Sequence, residues 1–314
     1  MKIDNTCSLA VKPLAKKQRT NKRHGFTLVE LLVVITIIGI LAGLALVGIS
    51  SAVTTGRETA MAFELGQIEM ALQSYKTDMG SFPPDSSRNL HDAPGAGKDV
   101  ESSLNRHLNR KFTQRRSADK VTLIPAVPAT NMFERGMISR DAPVDLNDLG
   151  PSETYVLLLM GFSPDVERPL TGPGERNKRF EFKAERLIDP DNDGWYSYKL
   201  AYSESEIVYF KGGSYAGKNP QSGNQPEVAS YTPALGNGIA RPYANKNKWA
   251  NEDTFQLIST GLDEDFGEGF ADLMSRKSYP SGLDTSGNLV AYTLEDRDNI
   301  TNFAGTALRN REDD

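Results

Sequence analysis

At 314 residues, with 17 Pro, 27 Gly and a mean hydropathy of −0.45, the chain is polar and loop-rich, with room for one large domain or two small ones. Its single cysteine, Cys7, excludes a disulfide framework and a cysteine zinc site. Residues 1–25 carry +6, from seven Lys/Arg against Asp4, which with the net −5 leaves −11 on residues 26–314; a basic head on an acidic body argues for membrane orientation and against nucleic-acid binding by the body.

Residues 1–25 are basic, polar and aperiodic, and are expected to be a leader or cytoplasmic tail. From Phe26 to Ile49 runs a 24-residue apolar stretch interrupted by one acid, Glu30. As a helix it would reach roughly 36 Å, enough for a hydrocarbon core of about 30 Å. A basic flank stays cytoplasmic, which puts the body on the other side, the periplasm in a double-membrane bacterium. Three membrane readings compete. A removable secretory signal has a shorter apolar core, although Ser50-Ser51-Ala52 offers a small-residue cleavage site. An ordinary single-pass anchor explains the length, with Glu30 reaching the headgroups from near the membrane edge. In the third reading the chain is cut between Gly25 and Phe26. The new α-amine then starts the helix, and staggered neighbouring helices could pair it with Glu30, since a paired buried charge is tolerable where an unpaired one is not.

The stretch Gly25-Phe26-Thr27-Leu28-Val29-Glu30-Leu31-Leu32-Val33-Val34 behind a basic leader resembles the amino terminus of type IV pilins and type II secretion pseudopilins. The resemblance implies cleavage after Gly25 by a prepilin peptidase and N-methylation of Phe26. It also implies insertion in the inner membrane, and self-assembly through the helix and Glu30 with like subunits and minor pseudopilins. The proline often found midway along the pilin helix is absent, so no kink is expected there.

Within 57–79, Met61, Leu65, Ile68, Leu72 and Tyr75 recur at spacings of four and three, one apolar stripe on an amphipathic helix. Arg57, Glu58, Glu64, Gln67 and Lys76 are interspersed with it. The stripe is expected to pack the body's core, and joined to the apolar run it gives one helix over about 26–79. Gly56 and Gly66 are weak points, and Gly80-Ser81-Phe82-Pro83-Pro84 is a firm stop. Residues 71–83, with Tyr75, Gly80 and Pro83, look like the helix exit of the major pseudopilin of type II secretion.

Residues 85–150 read as an insertion with one short helix near Ser102–Phe112. The Gly95-Ala96-Gly97-Lys98 fragment lacks the spacing and the Ser/Thr of a phosphate loop. Thr154–Gly161 is apolar and suits a short buried helix. Phe180–Lys183, Tyr196–Tyr202 and Glu206–Phe210 are strand candidates. Residues 211–250, rich in Gly, Asn, Ser and Pro, read as a long surface loop.

Two acidic clusters are candidate metal sites. Asp189-Pro190-Asp191-Asn192-Asp193-Gly194 has the spacing that opens an EF-hand loop, oxygen ligands at positions 1, 3 and 5 and glycine at 6, but position 12 is Leu200 rather than a bidentate acid. The competing reading is an Asx-rich turn before a strand, and the pseudopilin resemblance makes this spot a structural strand entry. The second cluster is Asp263 and Asp265 with Asp296 and Asp298. It is similar to the pseudopilin C-terminal segment, where a calcium ion ties down the terminal loop; here Glu264 replaces the glycine that follows the first Asp, and the spacer is long. Catalysis finds little support, because the body has only His91 and His107 and lacks G-x-S-x-G and H-E-x-x-H.

The expected fold class is α+β and pilin-like. A cleaved leader (1–25) precedes a long helix (26–80, its membrane half 26–49), which packs on a small antiparallel sheet within a periplasmic domain (81–314) bearing insertions near 85–150 and 211–250. The expected function is that of a non-enzymatic subunit of a type II secretion pseudopilus or type IV pilus-like filament, with Ca2+ as candidate cofactor. The competing class is a membrane-tethered or secreted binding domain for calcium or carbohydrate that forms no filament.

Overall fold

The structure is a computed structural model that describes residues 25–86, 99–119, 132–140, 142, 144–219, 225–245, 248–268, 276–279 and 292–311. The leader up to residue 24 and the Gly95–Lys98 fragment lie outside them. The chain divides into two compact units, Met1–Ala52 and Val53–Asp314.

Helix α1 (Leu28–Met79) runs without interruption through Gly56 and Gly66. The described residues of its apolar half are solvent-exposed, and among the described residues α1 is the helix long and apolar enough to cross a membrane. In its second half the stripe Met61, Leu65, Ile68, Leu72 and Tyr75 is buried in the main core, as its spacing requires. Gly80 ends the helix. It takes φ +80, and its N–H reaches back to the Lys76 carbonyl (2.8 Å) before the chain enters Pro83-Pro84.

The centre of the body is an antiparallel three-stranded sheet in the order β10 (Ile300–Thr301), β8 (Phe255–Ser259), β3 (Val208–Lys211). Tyr209, Phe255, Leu257 and Ile300 face the core shared with α1, α2 (Asp99–Lys111) and α3 (Thr154–Leu159). Val208, Phe210 and Ile258 face a second core with Tyr215, Tyr243, Phe266 and Leu308. Short ladders surround this sheet: β1 (Leu187–Ile188) with β2 (Ser197–Tyr198), β4 (Ala216–Asn219) with β5 (Gln225–Val228), and β6 (Tyr243–Asn245) between β7 (Lys248–Trp249) and β9 (Lys277–Ser278). The β6–β9 pair is parallel; the others are antiparallel. The α+β class and the helices near 102–112 and 154–161 match the sequence expectation.

Three local readings change. Phe180–Lys183 is not a strand. The Arg179 and Phe180 N–H groups cap the Leu159 carbonyl at the end of α3, and Phe180 and Phe182 stack edge-on with Tyr198, so packing takes the groups a ladder would need. The 196–202 strand shrinks to β2 because Tyr202 turns to φ +66. The 211–250 segment is not simply a surface loop, since it holds β4 to β7 and puts Tyr215, Ala240 and Tyr243 into the second core.

Helix α2 buries Val100, Leu104, His107 and Leu108 on one face. The His107 ring stacks on Tyr75 and shares a 2.7 Å hydrogen bond between Nε2 and the Tyr75 hydroxyl; Nδ1 lies 3.2 Å from Ser81 Oγ. Burial, with Lys211 and Arg110 adding repulsion, pushes its pKa down to about 4. The folded state therefore holds a neutral imidazole, while the unfolded chain titrates near its ordinary 6.5. Stability from this residue is complete above about pH 6.5 and is lost as pH falls toward 4, by about 3 kcal/mol. Compared with wild type, His107→Gln should lose less stability between pH 7 and pH 4.5 in urea unfolding; an equal loss would remove His107 as the cause.

Candidate functional site

At the amino-terminal end, Thr27 caps α1. Its N–H and hydroxyl donate to Glu30 Oε2 (2.8 and 2.9 Å), and Glu30 N–H donates back to the Thr27 hydroxyl (3.2 Å). This is the reciprocal Thr-x-x-Glu capping box, which satisfies otherwise orphaned donors of the first turn. It gives Glu30 a role within one chain that the sequence reading overlooked, although the spacing was visible. Gly25 and Phe26 precede the cap; Phe26 is exposed, and among the described residues a Cβ at Gly25 would meet nothing within 4 Å.

The first acidic cluster gains a fourth member. Glu153, at the start of α3, is 3% exposed, and a carboxylate oxygen from each of Glu153, Asp191 and Asp193 lies within 4.8 Å of the others. Glu153 thus brings a further carboxylate to the loop from another element, while Leu200 is a buried core residue. The loop is preset by Gly194 at φ +104, where a Cβ would strike Val144, and by Arg140, whose guanidinium donates to the Asn192 and Asp193 carbonyls. Trp195 N–H donates to Asp193 Oδ1 (2.8 Å), and Asp189 Oδ2 accepts from Gly194 N–H (3.2 Å) and the Ser139 hydroxyl. The second oxygens, Asp189 Oδ1 and Asp193 Oδ2, are buried and have no hydrogen-bond partner among the described residues. Burial, then Asp193, with Asp191 and Asp189 adding to it, pushes Glu153 up to about 9 despite a hydrogen bond from Gly150 N–H. Burial and the neighbouring carboxylates likewise push Asp193 up to about 7. Orphaned oxygens beside a carboxyl that burial first, and then its neighbours, hold neutral fit a hard cation with oxygen ligands.

The second cluster is arranged differently. Asp296 accepts from the Lys277 ammonium (2.7 Å), the Tyr243 hydroxyl (2.6 Å) and Thr293 N–H (2.8 Å). Asp298 pairs with Arg309 and accepts from Leu262 and Asp263 N–H (2.6 and 3.2 Å). Asp265 Oδ1 caps Gly267 N–H, and Asp263 Oδ1 caps Asp265 N–H. Glu264, at φ +61, folds its carboxylate onto Glu204 and Ser205 N–H and the Ser203 hydroxyl. Among the described residues, the acids that converge on one point are Glu153, Asp191 and Asp193, not these four.

Comparison with known proteins bears on the first of these sites. The prokaryotic N-terminal methylation motif matches residues 20–46, a span that contains Gly25, Phe26 and Glu30. Two curated proteins, each described as a probable minor fimbrial protein of Dichelobacter nodosus, are 31% identical to the chain over 86 residues, covering 27% of this chain and 54% of each relative. The chain therefore spans about half the length of the curated relatives it matches. No solved structure matches. A prepilin-type segment on an apolar helix makes this end of the chain a membrane anchor.

Proposed function

We propose that this chain, type IV pilin-like at its amino terminus, is a structural filament subunit rather than an enzyme. Prepilin peptidase cuts after Gly25 and methylates Phe26. The apolar half of α1 sits in the inner membrane with the leader cytoplasmic and the body periplasmic. Like subunits, with minor pseudopilins, then assemble through that helix into a type II secretion pseudopilus or type IV pilus-like filament. The observation that carries this reading is the methylation motif over residues 20–46. The fimbrial description of the similar proteins favours a filament over a tethered binding domain.

The intact mass and amino-terminal sequence of the membrane-extracted protein test processing: a chain beginning at N-methylated Phe26 is expected, and one beginning at Met1 or near Val53 overturns the proposal. Glu30 separates assembly from capping. Gln also serves at the third position of a capping box, so Glu30→Gln keeps the cap and removes the charge that would meet a neighbour's α-amine. Glu30→Gln should be processed normally and form filaments at least about tenfold less well, on the scale of a lost buried ion pair. Wild-type assembly by Glu30→Gln together with failure by Glu30→Ala would mean that the cap, not the charge, is what the residue supplies.

We further propose calcium at Asp189, Asp191, Asp193 and Glu153. The orphaned oxygens support it. Millimolar calcium should raise the thermal midpoint of wild type and leave that of Asp193→Asn unchanged; no shift in wild type overturns the site.

A further inference from the structure

We infer that two side-chain cations, Lys277 and Arg309, close the C-terminal segment onto the body in the place where the resemblance implies a calcium ion, so that this closure needs no metal. The Lys277 side chain is wholly buried, as is its partner Asp296. Its ammonium reaches into an oxygen-lined space, donating to Asp296 Oδ1 and to the Phe266 carbonyl. Both oxygens are also reached by the Asn299 amide, which lies 3.2 Å from Phe266 O and 3.5 Å from Asp296 Oδ1 and donates to the Tyr243 hydroxyl (2.9 Å). One positive charge thus gathers Tyr243 on β6, the Phe266 turn and the Asp296–Asn299 segment. Gly267 lets the backbone approach: a Cβ there would lie 2.4 Å from Asp296 Oδ2.

Arg309 does the second half. Its guanidinium bridges Asp298 and Glu58, a buried acid on α1. Asp298 in turn holds the Leu262 and Asp263 N–H groups, and a Cβ at Gly261 would lie 2.1 Å from the Asp298 carbonyl. The residues therefore do not fit a calcium ion at this end. Calcium takes six to eight oxygens at about 2.3–2.6 Å, whereas two of the four candidate carboxylates, Asp296 and Asp298, face a fixed ammonium and a fixed guanidinium, and Asp263 and Asp265 each spend an oxygen on a backbone N–H. A divalent ion beside either would meet a like charge at contact distance. Burial of Lys277 is tolerable because its charge is paired and hydrogen-bonded.

The inference does not depend on filament assembly. It is tested by amide hydrogen exchange of the full chain in detergent, read on peptides within 292–311 with every protein carrying Asp193→Asn, so that a cation at the Glu153 cluster does not enter the readout; wild type here means Lys277 and Arg309 unchanged. Wild-type exchange should agree within about twofold between excess chelator and millimolar calcium chloride. Lys277→Met should speed exchange at least about tenfold in both solutions, since opening of the segment then costs less. Arg309→Gln, whose guanidinium is partly exposed, should act in the same direction and serves if Lys277→Met does not fold. Protection of wild type by calcium at the tenfold level overturns the inference, as does wild-type exchange in Arg309→Gln together with either wild-type exchange or failure to fold in Lys277→Met.

Discussion

Glu64→Ala is expected to destabilise the body by about 3–5 kcal/mol, the range for breaking a buried ion pair from one side. Glu64 projects from the buried face of α1. Oε1 accepts the Tyr198 hydroxyl (2.7 Å), while Oε2 pairs with Arg186 and lies 3.4 Å from Ala201 N–H. Tyr198 is wholly buried, and burial together with the Glu64 charge holds its hydroxyl protonated far above the ordinary range. Removing the carboxylate strands that hydroxyl and leaves a largely buried guanidinium without its charge partner. The lost contacts join α1 to the β1–β2 corner, so the damage is not confined to one turn. Glu64→Gln keeps an acceptor for Tyr198 and gives up only the charge, and should cost about 1–3 kcal/mol. Urea unfolding at pH 7 of both variants, with Tyr198→Phe closing a double-mutant cycle, separates the two interactions. A loss below 1 kcal/mol in Glu64→Ala would show that α1 is held by its apolar stripe alone.

That residue also shows where sequence reading stops. Periodicity placed the stripe from Met61 to Tyr75 because those side chains differ in polarity from what surrounds them. Glu64 sits beside Leu65 on the same buried face, and a carboxylate in a stripe of this kind reads as solvated unless its partner is known; Arg186 and Tyr198 lie more than a hundred residues away. The same limit hid Glu153. The Asp189–Asp193 loop was legible from local spacing, but the buried carboxyl beside it comes from the start of another helix, joined only by the fold. Strand β8 was hidden for a different reason. It is buried on both faces, so Phe255-Gln256-Leu257-Ile258-Ser259 does not alternate, and Gln256, one of its two buried polar residues, is satisfied by Tyr243 and Ala250 backbone groups. At the helix ends the signals were local and legible: Gly80 needs a positive φ, and Thr27 and Glu30 stand three apart.

The other large effect expected is on pH dependence, through Glu153. In the unfolded chain its carboxyl titrates near 4.5; in the folded body it is pushed up to about 9. A raised acid favours the folded state when protonated, so its contribution to stability is complete below about pH 4.5 and is lost as pH rises through 9. The span is on the order of 6 kcal/mol, of which about 3 is already lost at pH 7. The sign is opposite to that of His107, so the two residues pull the stability curve in opposite directions. Glu153→Gln holds the neutral state permanently. Its amide oxygen can still accept Gly150 N–H, and its NH2 can donate toward Asp191 and Asp193. In chelator this variant should be about 2–3 kcal/mol more stable than wild type at pH 7, with the difference growing toward pH 9 and vanishing near pH 4.5. Calcium should reverse the order, because a divalent ion replaces the proton as the charge that offsets the carboxylates, and Glu153→Gln gives up one of its ligands. Urea unfolding at three pH values with and without calcium reads all of this. Equal stability of the two proteins at pH 8 in chelator would mean that Glu153 is ionised in the fold and that its neighbours do not act on it as their positions require.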